Sequence, residues 1–208
     1  MMSDTLLLFL NLAGIGFFAI SGTLLGERKS VNGFGITVLA TLTATGGGTI
    51  RDLLLNKPVF WIEDSIYLLT NFVAIMVSIL FIRRFPSPDN RYFLIVDAAG
   101  LALFNIIGIF KATQADADLV VALTMGVITS VFGGILRDVI CREVPVTLKN
   151  QLYATTCIAG GLTYVVTTNL GWNTYICVGM AFSTTFVMRM SAIYEGWRLQ
   201  IFSQKSNG

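Results

Sequence analysis

The sequence predicts an all-α membrane protein: seven transmembrane helices arranged as a 3+3 inverted repeat plus a seventh helix. Three observations predict it. Charged residues make up only 12% of the 208 residues, apolar residues make up 54%, and mean hydropathy is +0.74. An average soluble domain carries about 25% charged residues, so a chain this poor in charge cannot cover a water-facing surface. Seven stretches approach the length of apolar chain, about 20 residues, that a bilayer core demands. Finally, the chain repeats itself at a spacing of 86 residues around a Gly-Gly-x-x-Arg-Asp block.

The same composition excludes whole classes of function. The 14 Lys+Arg and 12 Asp+Glu leave a net charge of +2, too little to neutralise a run of phosphates, so no nucleic-acid partner is expected. There is no histidine, which removes Ser-His-Asp and Cys-His catalysis, His-containing zinc sites and a histidine pH switch. Cys141, Cys157 and Cys177 form no CxxC pair and read as small hydrophobes. No catalytic residues, no cofactor and no tightly bound metal are expected, and an enzyme is not. Transport, conduction or a membrane scaffold remain.

The seven stretches are residues 5–26, 34–55, 65–82, 92–111, 119–140, 151–168 and 173–190. Charges, proline and asparagine separate them: Glu27-Arg28-Lys29, Lys57-Pro58, Arg83 to Arg91 with Pro86 and Pro88, Asp116 to Asp118, Arg142 to Lys149, and Asn169 to Asn173. The loops are short, so consecutive helices are antiparallel neighbours. The first stretch reads as a retained helix, because it lacks a basic start and a clear cleavage site. Trp61, Trp172 and Trp197 lie near predicted helix ends, as interfacial aromatics do. Residues 1–91 read as repeat one, 92–170 as repeat two, and 171–208 as the seventh helix with a short polar tail from Arg198.

Seven spans divide the basic residues unequally. Arg51, Lys57 and Lys111 fall on one side. Arg28, Lys29, Arg83, Arg84, Arg91, Arg137, Arg142, Lys149, Arg189, Arg198 and Lys205 fall on the other. Basic loops stay cytoplasmic, which puts the N-terminus outside and the C-terminus in the cytoplasm.

The repeat is dense. Ala13, Gly14, Phe18, Ile20 and Gly22 match Ala99, Gly100, Phe104, Ile106 and Gly108. Thr43, Gly47, Gly48, Arg51 and Asp52 match Thr129, Gly133, Gly134, Arg137 and Asp138, giving ten identities in 42 ungapped positions. Three spans per repeat reverse the second copy relative to the membrane. Inverted repeats place a transport pathway at their interface near mid-membrane.

The chemistry concentrates where the second and fifth spans end. Gly46, Gly47 and Gly48, and their partners Gly133 and Gly134, weaken each helix by about 1 kcal/mol per glycine and permit a kink; they equally permit close helix packing. Thr43, Gly47 and Arg51 share one helical face, as do Thr129, Gly133 and Arg137. With Thr45, Thr49 and Ser130 they offer oxygen ligands suited to a transient monovalent cation, or hydroxyls bonded to their own helix. Arg51, Asp52, Arg137 and Asp138 are costly in lipid and are paired or face water. Neighbours in sequence do not face each other on a helix, so pairing across helices is expected. Asp97 is a further intrahelical carboxylate, and Asn11 holds its repeat-equivalent position.

These residues resemble the prokaryotic trimeric intracellular cation (TRIC) channels, and the related bacterial membrane family whose domain is labelled a glycine transporter. The resemblance covers about residues 5–190. It implies a homotrimer in the prokaryotic inner membrane, contacting membrane lipid, with one potassium- or sodium-permeable pore per protomer. It implies that the glycine-kinked second and fifth spans line that pore, through Gly46, Gly47, Gly48, Gly133, Gly134, Thr45, Thr49 and Ser130. Arg142-Glu143-Val144 is similar to a Lys-Glu-Val motif of animal members, with Arg in place of Lys. The alternative is a secondary transporter for glycine or another small zwitterion.

Overall fold

A computed structural model describes residues 2–84, 90–149 and 152–195. Trp197, Arg198 and Lys205 of the polar tail, and Pro86 and Pro88, lie outside the described residues. The described chain is helical throughout: α1 Asp4–Arg28, α2 Gly33–Leu54, α3 Phe60–Glu63, α4 Ile66–Arg84, α5 Asn90–Gln114, α6 Leu119–Ile140, α7 Val146–Lys149, α8 Ala154–Asn169 and α9 Thr174–Tyr194. Each of the seven apolar stretches overlaps one helix of 16 residues or more, and the one-turn helices α3 and α7 were not expected.

Among the described residues five helices (α1, α2, α5, α6 and α9) are long and apolar enough to cross a membrane by length and composition. The third and sixth stretches are weaker. The apolar part of α4 is Ile66–Ile82. With 16 residues, α8 rises about 24 Å, short of a core about 30 Å thick.

Local chemistry repeats as faithfully as the helix boundaries. The Asn32 side chain accepts from the Gly35 amide at the start of α2, and Asp118 accepts from the Val121 amide at the start of α6. Each carboxylate or carboxamide satisfies one of the amides a helix start leaves unpaired. Among the described residues four non-glycine residues have positive φ: Ser30 and Asp116 after α1 and α5, Asn56 and Arg142 after α2 and α6. These are left-handed caps made without glycine, and they form two repeat-equivalent pairs.

The halves meet around a pseudo-two-fold axis. Gly14 faces the Phe104 ring and Gly100 faces the Phe18 ring. The two rings stack with centroids 5.2 Å apart. Gly22 lies on Ala40 where α1 crosses α2, and Gly108 lies on Gly126 where α5 crosses α6. A Cβ at Gly47 would collide with the Thr129 carbonyl oxygen, and one at Gly133 with the Thr43 carbonyl oxygen. Thr43 therefore meets Gly133 while Gly47 meets Thr129, so α2 and α6 cross antiparallel, backbone on backbone. Four of the ten repeat identities, Gly14, Phe18, Thr43 and Gly47 with their partners, are thus contact residues between the halves. Helix α5 is central, packed on α1, α6, α8 and α9.

Candidate functional site

The predicted site residues gather along α2 and α6. Both helices run unbroken through their glycines. Gly47 and Gly133 form the crossing itself, Gly46 meets Leu136, and Gly48 meets the Phe60 ring. A Cβ at Gly134 would find its nearest neighbours at ordinary contact distance, 3.6 Å from Arg137 and 3.8 Å from the Tyr153 hydroxyl. Of the two roles open to these glycines, this structure displays close packing.

The hydroxyls turn back onto their own helices. Thr43 donates to Leu39 O at 2.7 Å, Thr45 to Thr41 O at 2.8 Å and Thr49 to Thr45 O at 2.8 Å. Thr129 donates to Met125 O at 2.6 Å and Ser130 to Gly126 O at 2.8 Å. This back-bonding spends the hydroxyl proton locally and leaves oxygen lone pairs. Thr49 uses one to accept from the Trp61 indole N–H at 2.9 Å. Thr43, Thr45, Thr129 and Ser130 are buried.

At the end of each helix stands the same ionic device, and it corrects the expectation that adjacent Arg and Asp cannot pair. Arg51 Nε donates to Asp52 Oδ1 at 2.8 Å, and Arg137 Nε donates to Asp138 Oδ1 at 2.8 Å. The second oxygens, Oδ2 of Asp52 and Asp138, accept from the backbone amides of Phe60 and Val146, at 3.0 and 2.9 Å. Each aspartate lies in the last turn of its helix, where its carboxylate reaches past the helix end and caps α3 or α7. The long arginine stem folds toward it, which regular i, i+1 geometry does not bring about. Of these two arginines Arg137 alone also pairs across helices, its Nη1 bonding Asp97 of α5 and Ser21 of α1.

Beyond this shared device the two ends differ. Asp97, 1% exposed, also accepts from the Ser21 hydroxyl at 3.3 Å and from the Tyr153 hydroxyl at 3.0 Å. The Tyr153 ring carries the buried Arg189 guanidinium of α9 over its face, 4.2 Å from the centroid. The buried group thus combines Arg137 and Arg189 with Asp97 and Asp138, two formal charges of each sign. Phe93 covers Arg137 at 4.6 Å and carries Arg28 at 5.6 Å.

At the other end Asn11 replaces Asp97 and bonds its own helix at Leu7 O. Its Oδ1 and both terminal nitrogens of Arg51 are buried without a hydrogen-bond partner. Arg51 is 0% exposed, and the Phe60 ring lies 5.6 Å from its guanidinium carbon.

Sequence reasoning missed Ser21, Tyr153, Phe60 and the buried role of Arg189. Two signals were available: Tyr153 is the repeat equivalent of Tyr67, and Arg189 interrupts an otherwise apolar helix.

At the Arg137 end, Lys29 in the turn after α1 pairs with Glu143 after α6. The hydrogen bond and charge of Glu143 raise the Lys29 pKa above its ordinary 10.5. Among the described residues no three metal-ligating side chains come together.

The comparisons with known proteins fit this geometry. The family described as "Glycine transporter" matches twice, over residues 8–83 and 94–169, two segments in the register of the internal repeat. The UPF0126 inner membrane protein YadS of Escherichia coli (strain K12) is 40% identical, over 98% of this chain and 99% of its own. The solved structure of the TRIC trimeric intracellular cation channel orthologue from Rhodobacter sphaeroides superposes with a TM-score of 0.86 at 36% identity, covering 93% of this chain and all of that one. A second structure, solved to explain conductance through TRIC cation channels, has a TM-score of 0.81 at 32% identity, over 94% of this chain and 96% of that one. The chain is an integral membrane protein, and it belongs to the glycine-transporter-labelled UPF0126 family and, with it, to the TRIC channel family.

Proposed function

We propose that this protein is a passive channel for monovalent cations, potassium among them, with one pathway in each protomer of a homotrimer. The observation that carries this reading is the whole-chain likeness to a TRIC channel at a TM-score of 0.86 and 36% identity. The physical arrangement supports it. Two antiparallel helices carry glycines and hydroxyls at matched depth and end in arginine–aspartate pairs at opposite ends of the bundle. In the packed form described above, the α2–α6 crossing at Gly47 and Gly133 closes the space between them. Conduction then needs the helices to bend apart, and the clustered glycines, each costing a helix about 1 kcal/mol relative to alanine, make bending cheap there.

In this reading Gly46, Gly47, Gly48, Gly133 and Gly134 are hinges. Thr43, Thr45, Thr49, Thr129 and Ser130 line the opened path, and Asp97 with the two Arg-Asp pairs frames its ends. Residues 1–91 and 92–170 form the two halves of a seven-span 3+3 inverted repeat, and residues 171–208 add the last span and tail. The N-terminus faces outward and the C-terminus the cytoplasm, in the inner membrane where the Escherichia coli relative resides. It is a channel rather than an enzyme.

The test is recording from purified protein in planar bilayers with asymmetric potassium chloride. Unitary currents reversing near the potassium equilibrium potential are expected. Silent bilayers, or a reversal potential insensitive to potassium, would sink the proposal. Native mass spectrometry checks the trimer, and protease access to terminal tags checks the orientation.

One observation favours a second reading, a secondary transporter for glycine: the matching family carries that description. Saturable, counterflow-competent glycine uptake into proteoliposomes would establish it, and linear flux would remove it.

A further inference from the structure

The end of the bundle that holds the start of α1 and the α5–α6 and α8–α9 loops contains a cavity of about 540 Å³. Its walls come from the ends of α5 and α8, the start of α9, the loop between α8 and α9, and Met2. None comes from α2 or α6. Its size falls within the range of small-molecule sites, about 300–1,000 Å³. None of its twelve lining residues carries a charge. A carboxylate or phosphate entering it meets no cation, and a strongly hydrated metal ion meets no carboxylate to replace its water.

Three features nevertheless favour positive charge. Phe110, Tyr164 and Trp172 line the cavity, and the face of an aromatic ring attracts a cation, most strongly in Trp. Two helices end at it, because Gln114 is the last residue of α5 and Asn169 the last of α8. A helix C-terminus carries about half an elementary negative charge. One N-terminus, that of α9, opposes these two, and there the Asn173 side chain already accepts from the Tyr175 amide. The carboxamides of Gln114 and Asn169, both exposed, add neutral oxygen acceptors. Finally, the helix ends and loops at this end carry Asp4, Glu63, Asp64, Asp116 and Asp118 against Lys57 and Lys111, a balance that draws cations towards it.

These features also select among cations. Burial costs least for a cation whose charge is spread over methyl groups and which holds water weakly. Such a group gains from ring faces and from apolar walls at once, and aromatic-lined sites take quaternary ammonium ions for that reason. We propose that this cavity binds a quaternary ammonium group, of the trimethylammonium kind carried by free choline and by phosphatidylcholine, with Tyr164 and Trp172 as its main contacts. The site goes beyond the channel reading and does not depend on it.

The test is equilibrium binding of radiolabelled choline to the purified protein in maltoside detergent. Saturable binding is expected, displaced by tetramethylammonium and about tenfold or more less effectively by neohexanol, the uncharged isostere of choline. Trp172→Leu and Tyr164→Leu are each expected to weaken binding about fivefold or more, and Trp172→Phe to restore most of it. Tyr175→Leu, which removes an exposed ring outside the cavity, is expected to leave binding unchanged. Trp172 is half-exposed, so its variants carry the test should Tyr164→Leu fail to fold. A short-chain phosphatidylcholine, added below its micellar concentration, separates the two sources of the group. Displacement at lower concentration than unlabelled choline requires identifies the lipid headgroup, and displacement only at higher concentration identifies the free solute. Absence of saturable choline binding, equal displacement by neohexanol, or undiminished binding by Trp172→Leu would overturn the proposal. None of these outcomes bears on conduction, which the bilayer recording decides separately.

Discussion

Arg51 and Arg137 occupy the same place in two halves of one chain, yet one is paired through a single nitrogen and the other through a four-helix network. The difference lies at several positions: Asn11 stands where Asp97 does, and Ile107 stands where Ser21 does. Asn11 and Asp97 are isosteric, but a carboxylate can hold a buried guanidinium, an alcohol and a phenol at once. A carboxamide that has bonded its own helix holds none of them. Symmetry of backbone therefore does not carry symmetry of side-chain partners: the Asp97 end has a cross-helix ion pair that Asn11 cannot form.

The largest expected effect tests what the halves share. Gly47→Ala and Gly133→Ala each drive a methyl group into a carbonyl of the opposing helix. Both are expected to cost about 4 kcal/mol or more, read as loss of monodisperse protein in size-exclusion chromatography. A large effect at only one of them would break the pseudo-two-fold description of the crossing. Next comes the contrast itself. Asp97→Ala removes one of the two carboxylates of Arg137 and the acceptor of the Tyr153 hydroxyl and is expected to cost about 3–5 kcal/mol, whereas Asn11→Ala is expected to cost about 1 kcal/mol. Thermal unfolding of the detergent-solubilised protein measures both, and equal costs would erase the asymmetry.

The glycine blocks sharpen the comparison further. Gly48→Ala meets the Phe60 ring and is expected to destabilise by about 1–3 kcal/mol. Gly134→Ala has room and is expected to stabilise by about 0.5–1 kcal/mol through helix propensity. Tyr153→Phe removes the bond to Asp97, for about 1–2 kcal/mol. Tyr67→Phe is expected to be near neutral in the same melt, since its hydroxyl has no hydrogen bond among the described residues.

The smallest effect belongs to the exposed Lys29–Glu143 pair. The folded Lys29 pKa is raised, so its contribution is fully present below 10.5 and disappears only as pH climbs through the higher folded value. Lys29→Met is therefore expected to shift the melting temperature slightly and by the same amount at pH 6 and pH 9. A shift that varies between them would show that another group carries the linkage.

Much of this was legible in the sequence because many identities between the halves mark close helix contacts or the ionic helix ends. Gly14, Phe18, Gly22, Thr43 and Gly47 with their partners mark the crossings, and Arg51-Asp52 with Arg137-Asp138 mark the ends. What the glycines do was less legible, since a Gly-Gly pair looks the same whether it bends a helix or admits a neighbour. The intrahelical Arg–Asp pairing was hidden because it depends on the aspartate lying in the final turn, where the carboxylate escapes helical geometry. Asp97 was singled out as unusual, but its partners Ser21 and Tyr153 are ordinary residues in apolar surroundings. Only the fold brings α1, α5 and the start of α8 to one point. Phe60 was unreadable for a related reason: nothing in one aromatic residue announces which glycine it will fill.

The interlock of rings and glycines has a consequence for how the protein is made. Phe18 needs Gly100 and Phe104 needs Gly14, while Gly47 rests on Thr129 and Gly133 on Thr43. Every one of these partners lies in the other half of the chain. The helices synthesised first therefore reach the bilayer with their closest-packing surfaces unmatched, and must wait there until the later helices arrive. Each half alone leaves these contacts unmade, so a chain severed between α4 and α5 is expected to regain the native protein only when both pieces are supplied to the same membrane.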